Sequence, residues 1–276
     1  MAEKKPAKTV VVTSGKGGVG KTTSTAAIGA ALAMEGQRVV VVDFDIGLRN
    51  LDLMLGAERR VVYDLINVIQ GTANLSQALI RDKRLHGLHL LAASQTRDKN
   101  ALTEKGVAMI MGELRSRFDW VICDSPAGIE RGAVMAMKHA DAAIIIANPE
   151  ISSVRDSDRI IGLLDAKTER GKRGQEMEKH LLITRYDTTR TKTGEMLGID
   201  DIADILSIPV LGVVPESNKV LNASNLGTPI TMADRDSPPA RAYGAAAKRL
   251  CGQDIPLEIP AGRKPFFANW FGGRAA

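Results

Sequence analysis

Residues 10–23 read VVVTSGKGGVGKTT. A β-branched run stops at Ser14, glycine then recurs at positions 15, 17, 18 and 20, and Lys-Thr-Thr opens a long alanine-rich stretch. That order is strand, tight loop, helix. From Gly15 to Thr22 it satisfies G-x-x-x-x-G-K-[ST], the spacing of a phosphate-binding loop. Glycine lets consecutive backbone N–H groups turn inward around phosphate oxygens, and the following helix adds its positive end. Gly15, Lys16, Gly17, Gly18, Val19, Gly20, Lys21, Thr22 and Thr23 are therefore expected to cradle the phosphates of a nucleotide. Lys21 is assigned to the β- and γ-phosphates and Thr22 to Mg²⁺.

The rest of the chain repeats the strand–helix alternation. Strands are predicted over residues 9–14, 38–43, 88–92, 120–124, 142–147, 181–184 and 210–214, and helices over 22–35, 103–117, 153–166 and 239–250, with Gly36 closing the first. Most strands lack a polar face, as strands covered on both sides do. The predicted fold is α/β, a mostly parallel twisted sheet with helices on both faces. One P-loop domain is expected over residues 1–255, a proline-rich connector over 256–264, and a separate tail over 265–276.

Composition narrows the function classes. The 276 residues are 44% hydrophobic and 25% charged, and no apolar run approaches the length of a membrane span. The first residues carry no apolar stretch with a cleavage site, so a cytosolic protein is expected. Two cysteines build no disulfide framework, and His86 and His89 have no third ligand nearby. The basic stretch 167–174 reads as a solvated loop, so nucleic acid is not an expected partner.

Two strands end in acids. VVVVDFDIG delivers Asp43 and Asp45, which alternation would put on one side at the carboxyl edge of the sheet, where open α/β sheets bind ligands. Hydrolysis of a γ-phosphate needs an oriented water and a metal that absorbs charge. Asp45 is assigned to the water and Asp43 to the hydration shell of Mg²⁺. WVICDSPAG then delivers Asp124, placed to bond Thr22 or a metal-bound water, before a turn at Gly128 suited to sensing the γ-phosphate. Thr184, Arg185 and Pro215 stand at strand ends where a base could lie.

Lys16 is not needed to bind phosphate within one subunit. With it, GKGGVGKT resembles the deviant Walker A motif of the dimerising ATPases that include MinD, ParA and the nitrogenase iron protein. Further blocks resemble the MinD family in particular: DFDIGLRNLD (43–52), RRVVYDLINVIQG (59–71), ASQTRDK (93–99), CDSPAGIE (123–130), NPEISSVRDSDRIIG (148–162) and LLITRYD (181–187). The similarity runs from about residue 8 to the C-terminus. It implies ATP as ligand, a homodimer in which Lys16 crosses to the partner's ATP, and catalytic roles for Lys16, Lys21 and Asp45. It also implies recruitment of a MinC-like division inhibitor, release by a MinE-like activator, and peripheral binding to anionic lipid on the cytoplasmic face of the inner membrane. The alternative within the family is a ParA-like DNA or cargo partition ATPase. The cysteines do not fit an iron–sulfur protein.

The tail bears on that choice. Four of the chain's ten aromatic residues lie in FFANWF at 266–271. On a helix, Phe266, Phe267, Trp270 and Phe271 fall within an arc of about 140°. Pro265 suits the first helical position and Gly272 its end. Each ring contributes at most about 1.5–3 kcal/mol on burial, less the cost of ordering the helix. Arg263, Lys264 and Arg274 add roughly 1 kcal/mol each near anionic lipid. One tail should bind a membrane marginally and two tails in one dimer far better. Ala268 and Asn269 stand where the family commonly carries basic residues.

Overall fold

The computed structural model describes residues 6–95 and 99–260. The tail with Phe266, Phe267, Trp270 and Phe271, and the connector from residue 261 onward, lie outside the described residues.

Eight strands, β1 (Lys8–Thr13), β2 (Val39–Asp43), β3 (Ile80–Arg81), β4 (Leu88–Leu91), β5 (Trp120–Asp124), β6 (Ala142–Ala147), β7 (Glu178–Tyr186) and β8 (Val210–Pro215), form one sheet. Its order is β3-β4-β2-β5-β1-β6-β7-β8. Every neighbouring pair is parallel except β3 with β4. The longer helices are α1 (Lys21–Met34), α2 (Glu104–Arg117), α3 (Arg131–Lys138), α4 (Ile151–Lys167), α5 (Ile199–Leu206), α6 (Asn218–Asn225) and α7 (Pro238–Leu250).

The absence of polar alternation in the strands has a direct structural cause. Val10, Val12, Val39, Val41, Ile122 and Ile144 pack into one core with Ile28 and Leu32 of α1 and Tyr243 of α7. Their neighbours Val11, Val40, Val42, Val121 and Ile145 pack into a second core with Ile110 and Leu114 of α2 and Leu164 of α4. The central strands β1, β2, β5 and β6 thus feed both cores with period two, and both sets must be apolar.

β5 and β6 occupy the expected residues, and most other boundaries shift by one or two. β7 is longer than expected, because Glu178, Lys179 and His180 extend its pairing along Ala142, Ala143 and Ile144 while remaining partly exposed. Gly36 closes α1: its N–H bonds the Ala33 carbonyl, and Gln37 N–H reaches back to Leu32. Within the basic stretch expected to be a solvated loop, Glu169–Lys172 form one helical turn capped by Thr168, with Glu169, Arg170 and Gly171 half-buried and Lys172 exposed.

Candidate nucleotide site

Strands β2, β5 and β1 are neighbours, so the segments leaving their carboxyl ends are brought together. Asp43 and Asp124 are register partners at the ends of β2 and β5, and both are buried. Beside them β1 runs into the glycine-rich loop. Gly18 (φ 74°) and Gly20 (φ 98°) occupy the left-handed region, which turns the loop back toward α1. At Gly15 the constraint is close approach, since a Cβ there would overlap the backbone of Asp156 in α4. The loop is pinned further along as well. The Thr184 hydroxyl bonds the Val19 carbonyl at 2.7 Å and the Asn148 side-chain amide at 2.9 Å.

Lys21 opens α1 and turns back into the loop. Its buried ammonium donates to Ser14 Oγ at 2.8 Å and to the Lys16 carbonyl at 3.2 Å. Burial lowers its pKa, and the charges of Asp124 and Asp45 oppose that shift. Asp124 is pushed upward by burial, against hydroxyl donation from Thr22 and Thr25 and the charge of Lys21. Thr25 Oγ1 donates to Asp124 Oδ1 at 3.0 Å. Asp43 is raised well above the usual carboxylate range, first by burial and then by Asp124.

These residues fit a nucleotide with its magnesium ion. Helix α1 begins with no side-chain cap and no acidic residue in its first turn. Its orphan N–H groups and positive end are therefore suited to an anion. The carboxylates of Asp43, Asp45 and Asp124 influence one another electrostatically, and the Lys21 charge opposes the upward shift at Asp124. A dication would relieve both upward shifts. Among the described residues no group of three or more His, Cys, Asp or Glu could hold a metal by itself. A Mg²⁺ ion at this loop would keep most of its waters, and the Thr22 hydroxyl is the side chain that could hold it.

Two site residues differ from their simplest reading. Asp45 lies beyond the end of β2, so strand alternation does not position it. Instead its N–H donates to Asp43 Oδ1 at 2.8 Å, and Leu51 N–H donates to Asp43 Oδ2 at 3.2 Å. Asp43 thus closes the loop between them, and its remaining lone pairs can still accept from a metal-bound water. Lys16 is held within its own chain: its ammonium meets Glu150 Oε2 at 2.9 Å and Ser152 Oγ at 3.1 Å, where α4 begins.

Gly17 and Gly18 are exposed at the loop's crest, Val19 is buried beneath it, and Gly20, Thr22 and Thr23 are half-buried. Gly128 N–H bonds the Ser14 carbonyl, which ties the turn after Asp124 to the start of the loop. Alongside lies a cavity of about 340 Å³ whose wall includes Val19, Thr23, Thr184, Arg185, Pro215 and Tyr243. Thr184, Arg185 and Pro215 are the three residues expected near a base. Tyr243 comes from α7 and also bonds Ser24 at 3.0 Å; no local sequence signal links it to the loop.

A phosphate loop, a buried lysine and two strand-end carboxylates on a parallel sheet define a P-loop nucleotide-binding protein. Residues 10–230 match the family model of the CobQ/CobB/MinD/ParA nucleotide binding domain. The chain is 55% identical over 271 residues to the septum site-determining protein MinD of Neisseria meningitidis, covering 97% of this chain and 100% of that protein. It is similar to the MinC:MinD cell division protein complex of Aquifex aeolicus, with 42% identity, a TM-score of 0.80, and coverage of 92% of this chain and 99% of that one. It is also similar to the septum site-determining protein MinD complexed with Mg-ADP from Pyrococcus horikoshii, with 27% identity, a TM-score of 0.78, and coverage of 88% and 96%. The chain belongs to the MinD family of septum site-determining ATPases.

Proposed function

We propose that this chain binds ATP with Mg²⁺, hydrolyses it, and uses the nucleotide to switch a homodimer on and off a membrane during septum placement. The observation that carries the reading is the buried Lys21 ammonium, folded back onto Ser14 at the uncapped start of α1. The Pyrococcus relative was solved with Mg-ADP, which supports the same ligand class here.

The phosphate loop binds the triphosphate with its N–H groups, and Lys21 neutralises the β- and γ-oxygens. Mg²⁺, when bound, spreads positive charge over those oxygens. Thr22 would hold the ion, and Asp43 and Asp124 would accept from its waters. Asp45 orients the attacking water. Lys16 leaves Glu150 and Ser152 and reaches the nucleotide of the second subunit, so the dimer forms only with ATP.

Dimerisation sets two aromatic tails side by side, and their joint insertion holds the protein on the cytoplasmic face of the inner membrane. There it recruits a MinC-like inhibitor, a reading supported by the Aquifex complex with MinC. A MinE-like activator stimulates hydrolysis and release. The tail is the proposed anchor; among the described residues no helix is long and apolar enough to cross a membrane.

Sedimentation with vesicles of phosphatidylglycerol and phosphatidylcholine tests this. The full chain should pellet with ATP and stay soluble with ADP. A chain lacking residues 264–276 should dimerise with ATP and stay soluble with both. Full vesicle binding by the truncated chain would overturn the tail's role.

A further inference from the structure

Strand β7 ends irregularly. Leu182 faces the core that also holds Val19 of the phosphate loop, and period two puts Thr184 on that same face. A hydroxyl thus stands where the pattern calls for an aliphatic side chain. Beyond it the alternation breaks. Ile183 pairs with Val213 and Tyr186 with Pro215, so Thr184 and Arg185 together stand opposite the single Val214. Arg185 takes the left-handed conformation (φ 55°), and Tyr186 returns to the core that holds Ile183. Bulges and left-handed non-glycine residues carry a conformational cost and concentrate at functional sites.

Thr184 is buried, and its Oγ1 lies 2.7 Å from the Val19 carbonyl oxygen and 2.9 Å from Asn148 Oδ1. A hydroxyl has one proton to give. The Val19 carbonyl can only accept, so it takes that proton, and an amide that turns its NH₂ group toward the hydroxyl satisfies the second contact. Asn148 is itself fixed, its backbone N–H donating to Ser153 Oγ at 3.0 Å. In a trans peptide the carbonyl and the following N–H point in opposite directions. No peptide among the described residues is cis, so a Val19 carbonyl held toward Thr184 turns the Gly20 N–H away from β7. Gly20 is the N-cap of α1, so this N–H has no acceptor within the helix and stands at its positive end. Two other loop carbonyls are also held: Ser14 by Gly128 N–H at 3.3 Å, and Lys16 by Ser14 Oγ at 2.7 Å and Lys21 Nζ at 3.2 Å. Among the described residues, Val19 is the loop carbonyl held by a side chain from outside residues 10–23.

We infer that Thr184 is a positioning residue for phosphate, acting through the Val19 peptide to aim the Gly20 N–H at the bound nucleotide, and not a contact to the base. Thr184 lines the cavity beside the loop, but its one proton is already committed to the loop's back. Without the hydroxyl the Val19 carbonyl is buried with no partner, and the peptide can turn and carry the Gly20 N–H off the phosphate. The inference rests on the nucleotide-binding reading of the site.

The test titrates the full chain, with Mg²⁺, using labelled ATP and then unlabelled tripolyphosphate as its competitor, which has the phosphates and no base. Thr184→Val and Thr184→Ala, which lack the hydroxyl, should bind both probes about tenfold more weakly, by the same factor for each. Thr184→Ser, which keeps the hydroxyl and loses the methyl group, should recover most of the parental affinity for both. Affinity would then follow the hydroxyl and not side-chain volume, which packing alone does not produce. Circular dichroism melting shows which variants are folded at the titration temperature, and if valine prevents folding the alanine and serine variants still decide. Parental affinity in a folded variant without the hydroxyl would overturn the inference, as would a loss for ATP with none for tripolyphosphate. So would a Thr184→Ser loss equal to that of Thr184→Ala, or a parental chain from which tripolyphosphate cannot displace ATP. A parental chain that bound neither probe would overturn the nucleotide reading instead.

Discussion

Lys16 offers the sharpest quantitative test, because its ammonium has two competing destinations. In the single chain it pairs with Glu150, with side-chain exposures of 41% and 49%. Half-exposed pairs of this kind contribute only about 0.2–1 kcal/mol. Releasing Lys16 therefore costs each subunit at most roughly a fivefold shift in equilibrium. A charge contacting phosphate across a closing interface is worth about 2–5 kcal/mol, and a symmetric dimer makes that contact twice. Transfer should win by a wide margin. Lys16→Ala should leave a folded monomer that binds ATP but dimerises about a thousandfold more weakly or worse. Glu150→Gln should act in the opposite sense and tighten dimerisation by up to about 25-fold, because only the small cis contact of each subunit is lost. Light scattering across a concentration series with a non-hydrolysable ATP analogue measures both. A normal dimer from Lys16→Ala would refute the crossing role. Weaker dimerisation by Glu150→Gln would refute the competition between the two sites.

Three further outcomes are expected. Lys21→Ala should abolish measurable ATP binding in an equilibrium titration with labelled nucleotide, since the phosphates lose their buried cationic partner; unchanged affinity would remove the phosphate-loop assignment. Asp45→Ala should still dimerise and bind vesicles with ATP but release phosphate at least about a hundredfold more slowly, as expected when a positioning group is lost. Turnover at the parental rate would mean that another residue orients the water. Gly15→Ala should lower thermal stability and ATP affinity together, because a methyl group there overlaps the Asp156 backbone and must displace either the loop or α4. A variant with both properties unchanged would contradict that packing.

The elements that sequence made legible are those whose pattern is set by burial. β2, β5 and β6 are apolar at nearly every position because each contributes to both cores, and a run such as AAIIIA can hardly be anything else in this context. The phosphate loop was legible because its chemistry is local, compressed into one short stretch of chain. Two-residue β3 is too short to show a period. The contact of Lys16 with Glu150 spans 134 positions, and nothing near either residue announces it. The wall of the cavity beside the loop draws on the loop, β7, β8, α6 and α7, so beyond the loop itself only Thr184, Arg185 and Pro215, which stand at or near strand ends, could be anticipated. Asp45 shows a different limit. Counting by twos assumes that the strand continues, but β2 stops at Asp43, and a side-chain bond from Asp43 positions the next acid.

That bond belongs to an unusual closure. One carboxylate, Asp43, receives the amide protons of both Asp45 and Leu51, so the intervening segment is a ring shut by a single side chain. Each amide is held by its own oxygen of that carboxylate, so a rotation of the Asp43 side chain disturbs both clasps at once. The amide protons of residues 45 and 51 should therefore trade with deuterated solvent in step. Their exchange rates should rise and fall together as the neighbouring phosphate loop fills and empties, although a whole turn of chain separates them.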